Sequence, residues 1–254
     1  ASVALAEHFS GDEDTFSIYM NQIATNLGLK NTNYANSTGL PHDQLYTSAE
    51  DVAVLSRNLI KNFPDRYKLY SKKEYVFNEI KQFSRNKLLY VDDSVDGIKT
   101  GFTKKAGYCL VSSAKRANRR LISVVMGAKS PDQRTAISKS LLEYGFRFYE
   151  THKIFDKNDV VFNARIFDGD EQEIKLGVLE KQFISVPRRS IKKIKKTYII
   201  DKNLTAPVSK GENVGYVAIK LNDEVVTTIN LYAMEDIQLG SLYRRTLDSI
   251  LKNF

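Results

Sequence analysis

Near His152 the chain changes its hydrophobic period, and that change limits the folds open to it more than any other feature. Before it, apolar residues recur at three- and four-residue spacing. Phe16, Met20, Ile23, Ala24 and Leu27 share one stripe with Gly28 at its end, which predicts a helix over 12–27. "TSAE", from Thr47, has capping-box spacing and opens a second helix that buries Val52, Leu55 and Leu59 and stops near Pro64. Ser130 caps a third, Pro131 fits its first turn, and Ile137, Leu141 and Tyr144 follow at helical spacing. The opening "ASVALAEHF" reads as a helix already under way, without a cap residue. After His152 come short β-type runs, "DVVFNARIF", "EIKLGVL", "FISVP", "TYII", "NVGYVAIKL" and "EVVTTINLYA", separated by Asp, Gly, Asn and Pro. "LNDE", at 221–224, reads as a hairpin turn. This second region is a small all-β sandwich or barrel.

The first region also contains strands. Gly107 to Ala114 and Leu121 to Gly127 are β-rich runs joined by the polar turn "KRANR", and with the strand carrying Ile98 to Phe102 they suggest an antiparallel meander flanked by helices. The fold class is therefore α+β, in two domains. At 42% hydrophobic and 27% charged residues the chain is not disordered. A net charge of +8 favours an anionic partner without choosing among nucleic acid, membrane and acidic polymer. No apolar run approaches the roughly 20 residues of a spanning helix. The single cysteine, Cys109, excludes an internal disulfide and reads as a small buried residue. From Gly240 onward Leu242, Leu247, Ile250, Leu251 and Phe254 share a helical face, with Arg244, Arg245 and Lys252 elsewhere. Two readings are open: a surface-lying amphipathic helix, or a terminal helix docked on its own domain.

The chemistry-bearing stretch is "VDGIKTGFTKKAGYCLVSSA", 95–114. A Lys-Thr-Gly triplet on a strand beside a cleft suits an extended peptide docking along it. Lys99 supplies charge, Thr100 a hydrogen bond, and Gly101 removes the side chain that would block a second backbone. Such a strand can hold a carboxylate. Alone, the triplet is three common residues meeting by chance; it becomes informative beside the other motifs of β-lactamases and penicillin-binding proteins.

With "ASVALAEHFSG", "LGLKNTNYANSTGLP", "YTSAEDVAVLSRNLI", "RLISVVMGAKS" and "LLEYGFRFYET", that stretch resembles the low-molecular-mass penicillin-binding proteins that are serine-type D-alanyl-D-alanine carboxypeptidases, of the penicillin-binding protein 5 type. The resemblance implies an incomplete β-lactamase/DD-peptidase-like domain over 1–151, a β-rich domain over 152–238 and an amphipathic membrane-anchor helix over 239–254. It implies removal of the terminal D-alanine from a peptidoglycan pentapeptide ending in D-Ala-D-Ala, through an acyl-enzyme, without a cofactor, and acylation by β-lactam antibiotics. Lys99, Thr100 and Gly101 would then bind the substrate's carboxylate end, Arg85 and Arg134 would lie near it, and the backbone N–H of Phe102 would be an oxyanion donor. It also implies a periplasmic location, peripheral on the outer face of the cytoplasmic membrane, reached through the C-terminal helix on anionic lipid. In this family S-x-x-K and S-x-N precede the helix that here begins at Ala1. The nucleophile and its lysine base are therefore expected on an N-terminal segment absent from these residues, and the chain alone is expected to be inactive.

Four literal S-x-x-K matches, Ser84/Lys87, Ser112/Lys115, Ser190/Lys193 and Ser249/Lys252, lack the helix start that lets a lysine one turn on act as base. His8, His42 and His152 have no metal-site spacing. "RRSIKKIKK", 188–196, has no nucleic-acid module around it and reads as a solvated face or an attraction to anionic lipid. The alternative to an enzyme is a non-catalytic scaffold fragment that binds other cell-wall proteins.

Overall fold

The computed structural model describes residues 1–251, which divide into two compact units, 1–147 and 148 onward. In the first unit α1 (Ser2–Ser10) starts without a side-chain cap, and α2 (Glu13–Asn26) is capped by Asp12, whose carboxylate accepts the Thr15 N–H at 2.7 Å. Helix α3 (Ala49–Asn62) is capped by Ser48, not Thr47. The Thr47 hydroxyl is instead 2.8 Å from that of Thr32, and the Ser48 Oγ accepts the Asp51 N–H at 3.1 Å. A short α4 (Pro64–Tyr67) follows.

The buried stripes of these helices differ from those their apolar spacing selects. In α2 the predicted stripe holds in part: Ala24 is buried and Phe16, Met20 and Leu27 are half-buried, but Ile23 is 56% exposed and Ser17 is buried beside them. In α3 Asp51 and Ser56 are buried and Val52, Leu55 and Leu59 only half-buried. In α6 (Pro131–Phe148) the buried residues are Arg134, Ser138 and Leu142, whereas Ile137, Leu141 and Tyr144 are exposed. That is a one-residue displacement, about 100° around the helix. The Ser17 and Ser56 hydroxyls can be buried because each donates to a carbonyl four residues back, Glu13 O and Val52 O.

Strands β1 (Glu74–Phe77) and β2 (Ile80–Phe83) form an exposed hairpin that periodicity did not reveal; its turn residues Asn78 and Glu79 have φ of 48° and 59°. After α5 (Leu88–Val91) the predicted meander is present as β3 (Val95–Thr103), β4 (Gly107–Arg116) and β5 (Arg119–Ala128), antiparallel in that order. Leu88, Leu89, Val95, Leu110, Ala114 and Leu142 pack as its core. Each buried leucine contributes about 2 kcal/mol of transfer free energy. Asp96 fixes the strands laterally. Its carboxylate accepts both Arg120 Nη atoms at 2.6 Å and the Tyr67 hydroxyl at 2.8 Å, and Arg120 also donates to Ser113 Oγ at 2.6 Å. Burial raises the Tyr67 pKa, so its phenol stays a donor at neutral pH.

The second unit is built of β6 (Tyr149–Phe155), β7 (Val160–Arg165), β8 (Glu173–Gly177), β9 (Gln182–Pro187), β10 (Ile194–Ile200), β11 (Asn213–Leu221) and β12 (Glu224–Ala233). They form a five-stranded sheet, β10-β11-β12-β8-β7, and a β6-β9 pair around a core that includes Ile174, Leu176, Ile219 and Leu231. The "LNDE" turn joins β11 to β12 with positive φ at Asn222 and Asp223, as a two-residue hairpin requires. Helix α7 (Leu242–Leu251) is held to this unit by polar contacts. Asp248 is buried and its Oδ2 accepts the Asp168 N–H at 2.7 Å, and Arg244 Nη1 donates to Asp170 O at 3.0 Å. Leu242, Tyr243 and Leu247 face outward. Lys252 and Phe254 lie outside the described residues, as do the side chains of Ile250 and Leu251.

Candidate active-site cleft

Strand β3 pairs with β4 and, among the described residues, with nothing on its other side. The register sets Lys99 opposite Val111, Gly101 opposite Cys109 and Phe102 opposite Tyr108. The second half of β3 forms one wall of an open cleft of about 1320 Å³ in the first unit. All six residues singled out from the sequence line it: Arg85, Lys99, Thr100, Gly101, Phe102 and Arg134. Periodicity alone would not have joined Arg85, in the bend just after β2, to Arg134 in the first turn of α6. The fold brings both to the same strand.

Lys99 is exposed and its Nζ donates to Thr100 O at 2.6 Å. Nothing inside the fold demands a glycine at 101: a Cβ there would meet only the Cys109 Cβ, at an ordinary 3.8 Å. Gly101 itself lines the cleft. Phe102, 55% exposed, sets its ring 4.3 Å from that of its cross-strand partner Tyr108.

Arg134 is buried and donates to backbone. Its Nη1 reaches Gly101 O and Cys109 O, both at 3.2 Å, and its Nη2 reaches Arg85 O at 3.4 Å. One guanidinium thus ties β3, β4 and the Arg85 turn together. Burial lowers its pKa, yet an arginine keeps its charge at neutral pH. Cys109, read from the sequence as buried, is half-buried and lines the cleft; it falls at a register shift in the β4–β5 pairing, between Tyr108, opposite Ala128, and Leu110, opposite Val125.

The lining also includes Asn36, Ser37, Thr38, Gly39 and Leu40, to which sequence reasoning assigned no role. Asn36 Oδ1 accepts the Gly39 N–H at 2.7 Å and the Thr38 hydroxyl at 3.0 Å, a local turn that Gly39 completes at φ 76°. Glu13 fastens this turn to α2 by accepting the Ser37 N–H and hydroxyl, at 2.9 and 2.6 Å; the hydroxyl above all holds its carboxyl below the usual range. Ser84 and Lys87 also line the cleft, but the Ser84 hydroxyl accepts the Asn86 N–H at 3.3 Å and Lys87 turns to Asp132 at 2.5 Å. They do not form a serine–lysine pair. Ser112 is fully buried in β4.

A strand edge carrying lysine, threonine and an open glycine, in a cleft it shares with a hydroxyl-rich turn, can hold an extended peptide by its anionic end. The family model for D-alanyl-D-alanine carboxypeptidases matches residues 1–130, and that for the C-terminal domain of penicillin-binding protein 5 matches 149–239. The chain belongs to the D-alanyl-D-alanine carboxypeptidase family. It is 41% identical over 251 residues to the D-alanyl-D-alanine carboxypeptidase DacA of Haemophilus influenzae, covering 98% of this chain and 64% of that one. With DacC of Escherichia coli it shares 38% identity over 256 residues, covering 100% of this chain and 64% of the relative. The chain thus spans a little under two thirds of these relatives. Penicillin-binding protein 5 from Haemophilus influenzae superposes with a TM-score of 0.84 at 41% identity, over 93% of this chain and 70% of that one. Penicillin-binding protein D2 from Listeria monocytogenes, solved in its cefotaxime-bound form, matches at 0.54 and 32% identity over 57% of this chain and 60% of its own.

Proposed function

We propose that the cleft is the substrate wall of a serine-type D-alanyl-D-alanine carboxypeptidase of peptidoglycan remodelling, and that the protein is acylated by β-lactams. The free edge of β3, with Gly101 open to the cleft and Lys99 and Thr100 beside it, carries this reading. Lys99 and Thr100 hold the terminal carboxylate, with Arg85 adding charge. Arg134 supports them by fixing the backbone of Gly101 and Arg85. The Phe102 N–H receives the oxyanion that forms as the bond between the two D-alanines breaks, a contribution of about 3 kcal/mol to the transition state.

No described serine in the cleft has a lysine poised as its base, so the reading takes the nucleophile and base from protein beyond these residues. Apolar surface on α1 and α2, with Leu5 at 69% and Phe9 at 74% exposure, supports further covering protein there. Outward-facing Leu242, Tyr243 and Leu247, beside Arg244 and Arg245, support a helix lying on the anionic outer face of the cytoplasmic membrane, in the periplasm.

The test is to incubate the native protein with a fluorescent penicillin and with an N-acyl peptide ending in D-Ala-D-Ala. Covalent labelling on a serine together with release of one D-alanine is expected. Binding of other cell-wall proteins with neither reaction would replace this function by that of a scaffold.

A further inference from the structure

The cleft carries more positive charge than one terminal carboxylate requires. Six lining side chains are cationic, Arg85, Lys87, Lys99, Lys104, Lys105 and Arg134, and none is acidic. Two are engaged: Lys87 with Asp132, and Arg134 with backbone carbonyls. The other four have no acidic partner among the described residues.

These four fall at two ends. Arg85 and Lys99 lie where the proposed function places the terminal carboxylate. Lys104 and Lys105, both exposed, lie on the turn that follows β3. The inference rests on that proposed function. With the carboxylate at Lys99 and Thr100 and the penultimate carbonyl at the Phe102 N–H, the peptide runs along β3 in the direction of Thr103. At about 3.3 Å per residue, the residue before the two D-alanines then comes level with the turn.

We propose that Lys104 and Lys105 form a second anion subsite, which selects stem peptides whose third residue from the end carries a free side-chain carboxylate and disfavours a cationic side chain there. The first subsite reads the end of the peptide. The second reads what precedes it. Both lysines are solvated, so their attraction is modest and screened by salt within about 8 Å at physiological ionic strength.

Three N-acetyl-X-D-Ala-D-Ala peptides test this, with 2-aminoadipate, norleucine or lysine as X, giving side chains of charge −1, 0 and +1. KM is measured on the native protein and on the doubly substituted Lys104→Gln, Lys105→Gln protein, with the norleucine peptide as the uncharged reference in each and thermal unfolding confirming the fold of the variant. In the native protein KM should be lowest for aminoadipate and highest for lysine, by roughly fivefold per charge step. In the variant the spread should fall below twofold, and 0.5 M NaCl should shrink it in the native protein. A flat series in the native protein, with the norleucine peptide still turned over, overturns the subsite alone, as does a spread that survives in the variant. If no peptide is cleaved and no penicillin bound, the underlying function and the subsite fall together.

Discussion

Gly97 and Gly101, four residues apart on one strand, are glycines for different reasons. A Cβ on Gly97 would lie 2.6 Å from the Tyr67 hydroxyl oxygen and 3.2 Å from its ring carbon Cζ, and Tyr67 cannot move aside without leaving Asp96. A Cβ on Gly101 meets nothing closer than 3.8 Å. Gly97→Ala should therefore destabilise the protein by about 2 kcal/mol through overpacking. Gly101→Ala should leave stability within about 1 kcal/mol of the native value, because alanine suits a strand better than glycine does. The same change should weaken binding of a D-Ala-D-Ala peptide at least tenfold. Denaturant unfolding and a binding titration separate the two; equal unfolding midpoints, or undiminished binding by Gly101→Ala, would contradict the account. The sequence showed the triplet because its chemistry lies in consecutive residues. It could not show that Arg134 faces backbone carbonyls, since those come from three separate segments.

At the scale of elements, the segment that leads into the hydroxyl-rich turn is anchored through Asp51 of α3. Its carboxylate accepts the Thr32 hydroxyl and the Asn31 N–H, both at 2.7 Å. The Thr32 hydrogen bond above all, with the backbone donors, outweighs burial and holds the Asp51 pKa below the usual aspartate value. A carboxylate depressed on folding contributes stability that is present above its unfolded pKa, near 4, and is lost as pH falls through the lower folded value. Asp51→Asn should lower Tm at pH 7 by roughly 5 °C, and the gap to the native protein should narrow as pH falls from 4 toward 3. A gap unchanged between pH 7 and 3 would refute this role. Helix and strand positions were largely legible from period, but helix faces only in part. Apolar spacing identifies a stripe that can be buried, but it passes over Ser17, Ser56 and Ser138, which are buried as well. The β1–β2 hairpin escaped because Asn78-Glu79 lacks the glycine that usually marks such a turn. The Asn36–Leu40 lining escaped because turn-forming residues announce no chemistry until the fold brings them into the same cleft as β3.

For the whole molecule, the change of period near His152 anticipated an α+β unit followed by an all-β one, although β6 already begins at Tyr149. The net charge of +8 named no partner from the sequence; the fold places six cationic residues in the lining of one cleft. The central claim is that β3 receives the carboxylate end of a peptide. Its most direct test is an NMR titration of the native protein with N-acetyl-D-Ala-D-Ala and, separately, with the same peptide as its C-terminal amide. The acid should shift the backbone amides of Lys99 to Thr103 with the tighter binding curve, and the amide should shift them weakly. Indistinguishable curves for the two peptides, or shifts that leave β3 untouched, would contradict it.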